Sequence, residues 1–396
     1  MKILFLYGGV INPERGGVER VTNILAEAFA HRGNDALYLS LRPESAEKEI
    51  SDRQFFLPDS IFGTERNKKF FLTFLKEKKI DVVINQGGLG RESSSFAYLA
   101  RECGIPVVSV LHSGLLDFVR NCDESFKTKL HKLGLGAFTP LLKTSVAKKI
   151  LTALFICRSR SHFRELARNS ARIVLLSNGF KKDLAEFFPG KKLPSIIRVI
   201  ANPASFAKAG TSVFESKKRE ILFVGRMNFT QKRPDLLLKI WIKLQNRFPA
   251  WSLRFVGDGE DMARMRSLAK SLNVDRVSFE GFQDPKPYYR DASIFCMTST
   301  FEGFGMVLVE AAAFGCVPVA FDSFAAVRDI IDDGENGCLV PAFDCEKYAE
   351  TLARLMSDDA LRERLAKNAL AQIPEKFSPE EIVMRWESLF EEILTA

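Results

Sequence analysis

Short apolar, β-branched runs alternate with longer amphipathic stretches along the first half of the chain. Apolar runs bounded by turn residues predict buried strands, and an apolar repeat of about 3.6 residues predicts a helix. Strands are predicted at 2–7, 36–39, 81–85, 107–111, 173–176 and 197–200. Helices are predicted at 19–31, 67–78 and 95–103 and in a basic stretch that begins near residue 141. This alternation predicts a parallel sheet with helices on both faces.

The alternation stops at Asn202-Pro203 and a polar stretch at 208–218, where we expect a domain boundary. It then restarts, with strands predicted at 219–224, 252–256, 277–279, 294–297, 317–320 and 337–340. Helices are predicted near 234–246, 260–272 and 306–314. The fold class is therefore α/β, with two doubly wound Rossmann-like domains, 1–202 and 203–377, facing across a cleft. Ligands of such sheets bind at the carboxyl ends of the strands, so the cleft is the expected site.

The last stretch, 378–394, is predicted to be an amphipathic helix. Ser378 can cap its first turn, and Glu381 follows three residues later, which is the spacing of a capping box.

Composition is that of a soluble globular protein large enough for two domains. The chain has 396 residues, of which 46% are apolar and 27% charged. No apolar run reaches the roughly 18 residues of a membrane-spanning helix, and the apolar start at 2–7 is too short for a secretory signal. The seven cysteines are scattered and form no Cys-x-x-Cys pair. This usage favours a reducing cytoplasm and argues against a structural zinc.

The net charge of +8 is concentrated in one segment. Residues 125–200 hold 16 Lys and Arg against 3 Asp and Glu. Cations and apolar residues interleave there: Lys143, Lys148, Lys149, Arg158, Arg160, Arg164, Arg168 and Arg172 among Leu141, Leu142, Val146, Ile150, Leu151, Leu154, Phe155 and Ile156. A basic amphipathic helix is a candidate for binding an anionic membrane surface, and a solvated helix face is the simpler alternative. Nucleic acid is disfavoured because no recognised nucleic-acid motif accompanies the charge.

The stretch from Ser299 to Gly315 carries the strongest candidate chemistry. Glu302 precedes a bend, Gly303-Phe304-Gly305, and Glu310 follows eight positions after Glu302 inside a predicted helix. The glycines let a ligand approach the backbone and leave the first helical amides free for phosphate or sugar oxygens. Glu310 offers two acceptor oxygens to a ribose diol. The pattern fits a nucleoside-diphosphate sugar; a buried helix with one glutamate is the alternative.

Two cations follow the first strand of the second half. Gly225 permits a tight turn, Arg226 comes next, and Lys232 lies six residues further on. Together these cations could stabilise the charge that builds on a departing nucleoside diphosphate. Two exposed loop cations are the alternative.

Three further loops end predicted strands. Gly16 and Gly17 precede a helix, where free amides could hold an acceptor or phosphate, although their spacing does not fit a dinucleotide motif. His112 could hydrogen-bond a sugar hydroxyl or the acceptor, or be an ordinary loop residue. Phe282 is a candidate contact for the nucleotide base. Asp258 is expected to cap a helix, and no obligatory metal is expected because one Asp with one Glu is a poor cage for a hard cation.

In this order, the motifs resemble family 4 of the retaining glycosyltransferases, which adopt the GT-B fold. The matches cover nearly the whole chain: Gly16 to Arg20, His112, Ser177, Asn202-Pro203, Gly225-Arg226, Lys232, Gly257-Asp258-Gly259, and Glu302 through Glu310. The resemblance implies that the C-terminal segment, 378–396, packs back on the first domain. It also implies that the first domain binds the acceptor and the second binds the donor.

The resemblance carries roles to individual residues. It implies that Arg226 and Lys232 bind the donor pyrophosphate, that Glu310 holds the ribose, and that Glu302 holds the donor sugar. His112 would contact the donor sugar or the acceptor. The other implied donor-binding positions are Gly16, Gly17, Gly225, Gly303, Phe304, Gly305, Met306 and Val307. One departure is Arg233-Pro234, which stands where a glycine commonly follows the lysine, so that Arg233 could add a third cation.

The resemblance implies transfer of a hexose-type sugar from a nucleotide donor, with a UDP-sugar favoured, to an acceptor hydroxyl with retention at the anomeric carbon. The acceptor would be a glycan or a lipid-linked glycan of the bacterial envelope, which places the protein in the cytoplasm or on the inner face of the plasma membrane. Two alternatives share the architecture. One is a UDP-sugar epimerase, which needs no acceptor; the other is a non-catalytic partner subunit.

Overall fold

The computed structural model describes residues 1–14, 16–41, 51–125, 142 and 144–395. By its internal contacts the chain divides into two units. The first unit comprises Met1–Ser113, Leu154–Ser205 and Ser378–Ala396, and the second comprises Gly114–Ala153 and Phe206–Phe377. Leu141 and Lys143 of the predicted basic stretch lie outside the described residues.

The first unit is built on a seven-stranded sheet in the order β3-β2-β1-β4-β5-β6-β7, with every pair parallel. Its strands are β1 (Lys2–Tyr7), β2 (Asp35–Ser40), β3 (Gln54–Phe56), β4 (Val82–Asn85), β5 (Val107–Leu111), β6 (Arg172–Leu175) and β7 (Ile197–Val199). The strand order reverses between β1 and β4, so the loops that follow these two strands flank the crevice at which doubly wound sheets bind ligands.

Helices cover the sheet of the first unit because each presents one apolar face. They are α1 (Gly17–His31), α2 (Glu65–Lys78), α3 (Arg91–Glu102), the later part of α6 (Ser145–Asn169) and α7 (Asn178–Ala185). Phe71 of α2 and Phe96 of α3 are fully buried, with ring centroids 4.9 Å apart. Ser177 caps α7, its Oγ accepting a hydrogen bond from the Phe180 amide at 3.0 Å.

The C-terminal helix α15 (Pro379–Leu394) belongs to the first unit although the second unit precedes it in sequence. Its apolar face is buried, and Phe390 lies 5.6 Å from Phe29 of α1 between ring centroids. Glu392 pairs with Arg172 and Arg198, whose hydrogen bonds hold the pKa of its carboxyl below the ordinary value. Ser378 caps the helix as predicted.

The second unit is built on a six-stranded parallel sheet in the order β10-β9-β8-β11-β12-β13. Its strands are β8 (Lys218–Val224), β9 (Ser252–Val256), β10 (Val277–Phe279), β11 (Ala292–Met297), β12 (Val317–Asp322) and β13 (Cys338–Pro341). Here the order reverses between β8 and β11, and the crevice lies beyond the carboxyl ends of these two strands.

Helices of the second unit cover a core that includes fully buried Tyr348 and nearly buried Trp241. They are α4 (Asp117–Arg120), α5 (Cys122–Ser125), the first part of α6, α8 (Pro234–Trp241), α9 (Met262–Ser271), α10 (Lys286–Asp291), α11 (Met306–Ala313), α12 (Val327–Ile330), α13 (Cys345–Ser357) and α14 (Asp359–Lys376). A 3₁₀ turn, Thr211–Ser216, lies in the polar stretch that we expected to be a linker.

The predicted fold class of doubly wound, parallel Rossmann-like sheets is confirmed. One difference concerns the first domain, predicted as 1–202: residues Gly114–Ala153 group with the second unit. The reason is tertiary, since α4 packs on loops near residues 300 and 325. In the part of the chain that the structure describes, no helix is both long and apolar enough to cross a bilayer.

Candidate functional site

The switch point of the second unit brings two predicted motifs together. Lys232, in the loop after β8, places its Nζ 2.6 Å from Oε1 of Glu302, in the loop after β11. Both side chains are largely shielded from water, with 19% of Lys232 and 8% of Glu302 exposed. The neighbouring strands explain the meeting: β8 and β11 are paired and parallel, so their carboxyl ends lie side by side. The sequence predicted both residues but not this ion pair.

Backbone hydrogen bonds hold the two loops in register around the ion pair. The Thr300 amide donates to the carbonyl of Gln231 at 2.7 Å, and the Thr300 hydroxyl donates to the carbonyl of Thr230 at 3.1 Å. The buried hydroxyl of Thr298 donates to the carbonyl of Arg233 at 2.8 Å. Because these bonds fix the chain on either side of Lys232, its ammonium group is pre-positioned at the carboxyl edge of the sheet.

Arg226 lies on the same loop, is exposed, and has no side-chain ion pair with any residue that the structure describes. Its backbone is positioned by the loop after β9. A side chain at Gly257, whose φ is +125°, would place its Cβ 2.1 Å from the carbonyl oxygen of Gly225, so only glycine permits this approach. The Gly225 amide donates to Val256 at 3.0 Å. The loop after β9 therefore shapes the turn that presents the Arg226 cation.

Two expectations for these loops are wrong. Arg233 does not add a third cation, because its guanidinium is buried and donates to the Asp235 carboxylate at 2.9 and 3.1 Å. Asp258 does not cap the following helix; its carboxylate accepts from the neighbouring Gly259 amide, and Asp261 lies at the start of α9. The local sequence could not show what Asp235, Asp258 and Asp261 each bind, because an aspartate at any of these positions is compatible with capping a helix.

The start of α11 has the form that the glycine-flanked bend predicts. Gly305 has φ +96° and precedes the helix, and among the described residues no side-chain cap hydrogen-bonds the first helical amides. Phe304 is buried and makes an edge contact with Phe377 at 5.2 Å between centroids, so only its backbone can serve a ligand. The amides of Met306 and Val307 stand in the first turn, where the helix dipole favours an anion. Gly303 lies in the same bend.

Glu310 lies one turn into α11 and is almost completely buried, with 1% exposed. One of its oxygens, Oε2, accepts a hydrogen bond from the Tyr289 hydroxyl at 3.0 Å. The backbone carbonyl of Tyr289 in turn accepts from the Lys217 ammonium at 2.9 Å, and burial lowers the pKa of that lysine. Sequence reasoning missed Tyr289. Its signal was a tyrosine three residues before an apolar strand, whose hydroxyl needs a partner when buried.

A second group that sequence reasoning missed comes from the segment around α4. Asn121 donates to the carbonyls of Thr300 and Ser323, both at 2.7 Å. The Asp117 carboxylate accepts from the Ala325 amide at 3.1 Å. The bond to Thr300 holds the loop that carries Glu302, and the other two bonds hold the loop after β12, all from outside the predicted motif. No local pattern marks them, because their partners lie about 180 or more positions away in sequence.

In the first unit, His112 follows β5 directly and joins a neutral hydrogen-bond chain. Its Nε2 lies 2.5 Å from Oε1 of Gln86, whose amide nitrogen donates to the Thr22 hydroxyl at 3.0 Å. Because the Gln86 Oε1 can only accept a hydrogen bond, the His112 Nε2 donates it and carries the proton in this arrangement. Burial lowers the pKa of His112 to about 4, so the imidazole is neutral near pH 7.

Gly16 precedes α1 and Gly17 begins it, again without a side-chain cap among the described residues. The carboxylate of Glu19 occupies the space beside Gly16, where an added Cβ would lie 2.5 Å from its Oε2. The Tyr7 hydroxyl donates to Glu19 at 3.4 Å; burial and then the charge of Glu19 raise the pKa of Tyr7. A phosphate at this helix start would have to approach a carboxylate, so the predicted role of these glycines stays a prediction.

Phe282 follows β10 and exposes 71% of its surface, which suits a residue that stacks on a base. Gly281 before it forms an isolated bridge with Gly257 of the neighbouring loop.

The second unit brings Gly225, Arg226, Lys232, Glu302 and the start of α11 to one edge of its sheet. The first unit holds Gly16, Gly17 and His112. Among the described residues, no three potential metal-ligating side chains group together.

Each half of the chain matches a family model of glycosyltransferases. Residues 15–204 match the family model described as Glycosyltransferase Family 4, and residues 207–372 match the one described as Glycosyl transferases group 1. The amylovoran biosynthesis glycosyltransferase AmsD of Erwinia amylovora is 30% identical over 403 residues, a match that spans 98% of this chain and 99% of AmsD. The chain belongs to the family 4-type glycosyltransferases.

Other relatives of this glycosyltransferase match over shorter stretches. A protein of Haemophilus influenzae named "uncharacterized glycosyltransferase" is 31% identical over 220 residues, which cover 55% of this chain and 60% of that protein. This chain thus spans only 60% of the Haemophilus protein, and it spans 23% of the exopolysaccharide phosphotransferase SCO2592 of Streptomyces coelicolor. A crystal structure of Anabaena HepE in complex with UDP-glucose superimposes with a TM-score of 0.69 at 16% identity, covering 99% of this chain and all of HepE. At that identity the likeness shows the fold.

Proposed function

We propose that this glycosyltransferase transfers a hexose-type sugar from a UDP-sugar to a glycan or lipid-linked acceptor in bacterial envelope polysaccharide or lipopolysaccharide synthesis, with retention at the anomeric carbon. The observation that carries the proposal is the 2.6 Å contact between Lys232 and Glu302 at the switch point of the second unit. It sets a cation and a carboxylate beside the uncapped start of α11. A diphosphate and its attached sugar need this combination.

Catalysis in this proposal rests on charge stabilisation. As the bond between the sugar and the diphosphate breaks, negative charge grows on the leaving phosphate oxygens. Lys232 and Arg226 stabilise that charge where it is greatest, in the transition state. The acceptor hydroxyl attacks from the same face of the sugar and passes its proton to the leaving oxygen, so no covalent nucleophile is needed. Glu302, neutralised by Lys232, holds sugar hydroxyls.

The ribose is assigned to Glu310. The Tyr289 hydroxyl donates to its Oε2 at 3.0 Å, and the acceptor oxygens of a carboxylate suit the two hydroxyls of a ribose. Tyr289 acts in this scheme as a positioning residue, because it fixes the carboxylate from below. Exposed Phe282 supplies a face for the base.

The names of two similar proteins support the proposed donor and the proposed acceptor. HepE was crystallised with UDP-glucose, and its fold matches over the full chain. AmsD, which matches end to end, is named for biosynthesis of amylovoran. On this basis we place the reaction on an envelope polysaccharide, in the cytoplasm or at the inner face of the plasma membrane. We also propose that no metal is obligatory, since Arg226 and Lys232 supply the positive charge.

The test is a thermal-shift panel of UDP-, GDP- and ADP-sugars, followed by transfer assays with the donor that stabilises most. We expect UDP-sugars to raise Tm and Arg226→Ala to lower kcat/KM by about 100-fold or more. Arg247→Ala, a surface arginine beside Phe248, is the matched control and should leave transfer unchanged.

The same assays separate the alternatives. Conversion of the UDP-sugar to an epimer without acceptor, seen by NMR, would identify an epimerase. Neither transfer nor donor hydrolysis by a protein that binds UDP would identify a non-catalytic subunit. A wild-type kcat/KM in Arg226→Ala would overturn the assigned role of that arginine.

A further inference from the structure

A cavity of about 180 Å³ lies in the first unit, where the later part of α6 packs against the loop that follows α7. Three cations and three phenyl rings line it: Arg160, Arg164, Lys191, Phe163, Phe187 and Phe188. None of these residues takes part in the sugar-transfer scheme.

Topology separates this cavity from the switch point of the same sheet. Helix α6 ends at Asn169, just before β6 begins, and α7 runs back from the carboxyl end of β6. The loop after α7 then leads into the start of β7. The cavity therefore lies towards the edge where β6 and β7 begin. His112, in contrast, follows the carboxyl end of β5, at the opposite edge.

The cations at the cavity have no carboxylate partner among the described residues. Arg160 and Arg164 are one helical turn apart on α6, and neither they nor Lys191 forms an ion pair there. The Nε of Arg160 is buried and has no hydrogen-bond acceptor in the part of the chain that the structure describes. By comparison, Arg172 and Arg198 of the same unit share the carboxylate of Glu392. A buried donor without an acceptor, beside two further cations, favours an anionic ligand.

The floor of the cavity is apolar. Phe163 and Phe187 are almost fully buried, and the Phe163 ring lies 6.4 Å from Phe187 and 5.6 Å from Phe188 between centroids. A simple inorganic anion gains nothing from phenyl rings, and a hydrocarbon alone gains nothing from a cationic rim. A phosphate ester that carries a hydrocarbon chain uses both surfaces.

We propose that this cavity binds the phosphate group of a hydrocarbon-bearing phosphate ester, with Arg160, Arg164 and Lys191 around the phosphate and the phenyl rings against the chain. Membrane lipid is the source that the observations favour. The same helix, α6, exposes Val146, Ile150 and Leu154 by 64, 55 and 61%, at the four-residue spacing that places side chains on one face. This site goes beyond the sugar-transfer function and does not depend on it.

The first experiment compares two triple variants that remove the same charge. The cavity variant is Arg160→Gln, Arg164→Gln, Lys191→Gln. The control variant is Arg158→Gln, Arg168→Gln, Lys192→Gln, which changes exposed cations of the same segments that do not line the cavity. Calorimetry with octyl phosphate, inorganic phosphate and octyl glucoside, below micellar concentrations, measures binding to the full chain.

We expect saturable binding of octyl phosphate by the wild type, weakened about tenfold or more in the cavity variant and less than about twofold in the control. Inorganic phosphate and octyl glucoside should each bind at least about tenfold more weakly than octyl phosphate. Equal losses in the two triple variants would overturn the site, because they would show unspecific attraction to charge. Inorganic phosphate binding as tightly as octyl phosphate would overturn the role of the phenyl rings.

Vesicle sedimentation separates the two sources of ligand. Recovery with phosphatidylcholine vesicles that contain phosphatidic acid should fall further in the cavity variant than in the control. If the cavity variant loses octyl phosphate binding yet sediments like the control, the lipid source is overturned and a soluble ester is indicated. Both variants should show the same change in Tm with UDP-sugar as the wild type. A loss of octyl phosphate or vesicle binding would then be separate from the proposed transfer reaction.

Discussion

The two sheets share the order of their first six strands, yet the polar groups at the carboxyl ends of these strands differ in charge. In the second unit, loops after β8 and β11 present Arg226 and a shielded pair, Lys232 with Glu302. In the first unit, the loop after β4 and the end of β5 present a neutral chain, His112 to Gln86 to Thr22. The carboxyl ends of the two sheets therefore present different chemistry. The charged loops of the second unit suit a diphosphate, and the neutral chain of the first unit suits hydroxyl groups that need directional hydrogen bonds.

The two units avoid an unpaired buried charge in different ways. A shielded ion pair is stable only while both partners are present, because a lone buried charge is costly. A neutral chain instead keeps its histidine uncharged by burial. Loss of one charged partner should therefore be severe in the second unit, whereas the first unit should be sensitive mainly to acid.

The largest effect is expected for Lys232→Gln. It removes a cation from the leaving diphosphate and strands Glu302, so kcat should fall by about 100- to 1,000-fold and stability by about 1–3 kcal/mol. Steady-state kinetics and urea unfolding measure the two losses. The control is Lys239→Gln, whose half-exposed ammonium pairs with Asp235 on α8. A kcat within threefold of wild type would contradict the assignment.

Tyr289→Phe tests the support beneath Glu310. Removing the hydroxyl leaves a buried carboxylate with one donor fewer, and we expect a loss of about 1–3 kcal/mol with a severalfold rise in KM for the donor. Tyr348→Phe is the matched control, because its buried hydroxyl donates to the carbonyl of Val319 at 2.7 Å in the same unit. It should lose stability without a change in KM. Equal KM values in both variants would remove Tyr289 from the nucleotide site.

The lowered pKa of His112 predicts that the free energy of unfolding of the first unit falls in acid. Its folded pKa of about 4 lies below the ordinary value of 6.5, so the unfolded chain binds the extra proton between these values. The contribution is complete above about pH 6.5 and is lost as pH falls towards 4, by up to about 3 kcal/mol. Urea unfolding of wild type and His112→Gln from pH 4 to 8 measures it. Parallel pH profiles for the two proteins would show that His112 contributes nothing.

The smallest effect is expected from removal of divalent metals. If Arg226 and Lys232 supply the positive charge, transfer in excess EDTA should stay within about twofold of the untreated rate. Loss of activity in EDTA, restored by Mg²⁺ or Mn²⁺, would show that the charged switch point needs a metal in addition to its cations.

Much of the fold was visible in the sequence because each strand and helix shows its own apolar period. The predicted strands match β1, β4, β5 and most others to within a residue or two. The short edge strand β3 and helices α13 and α14 were not predicted. Nor was the grouping of α4 with the second unit, which depends on Asp117 and Asn121 meeting partners far away in the chain.

The amino-acid sequence alone determined the doubly wound class, which loops carry Arg226, Lys232 and Glu302, and that Glu310 lies on the following helix, because strand ends and glycine bends are local signals. Tertiary structure alone decided the partners of these residues. It placed Lys232 against Glu302, seventy positions away, turned Arg233 inward to Asp235, and set Tyr289 beneath Glu310. Such contacts depend on which strands are neighbours and on how far each side chain is withdrawn from water, and no local pattern records either.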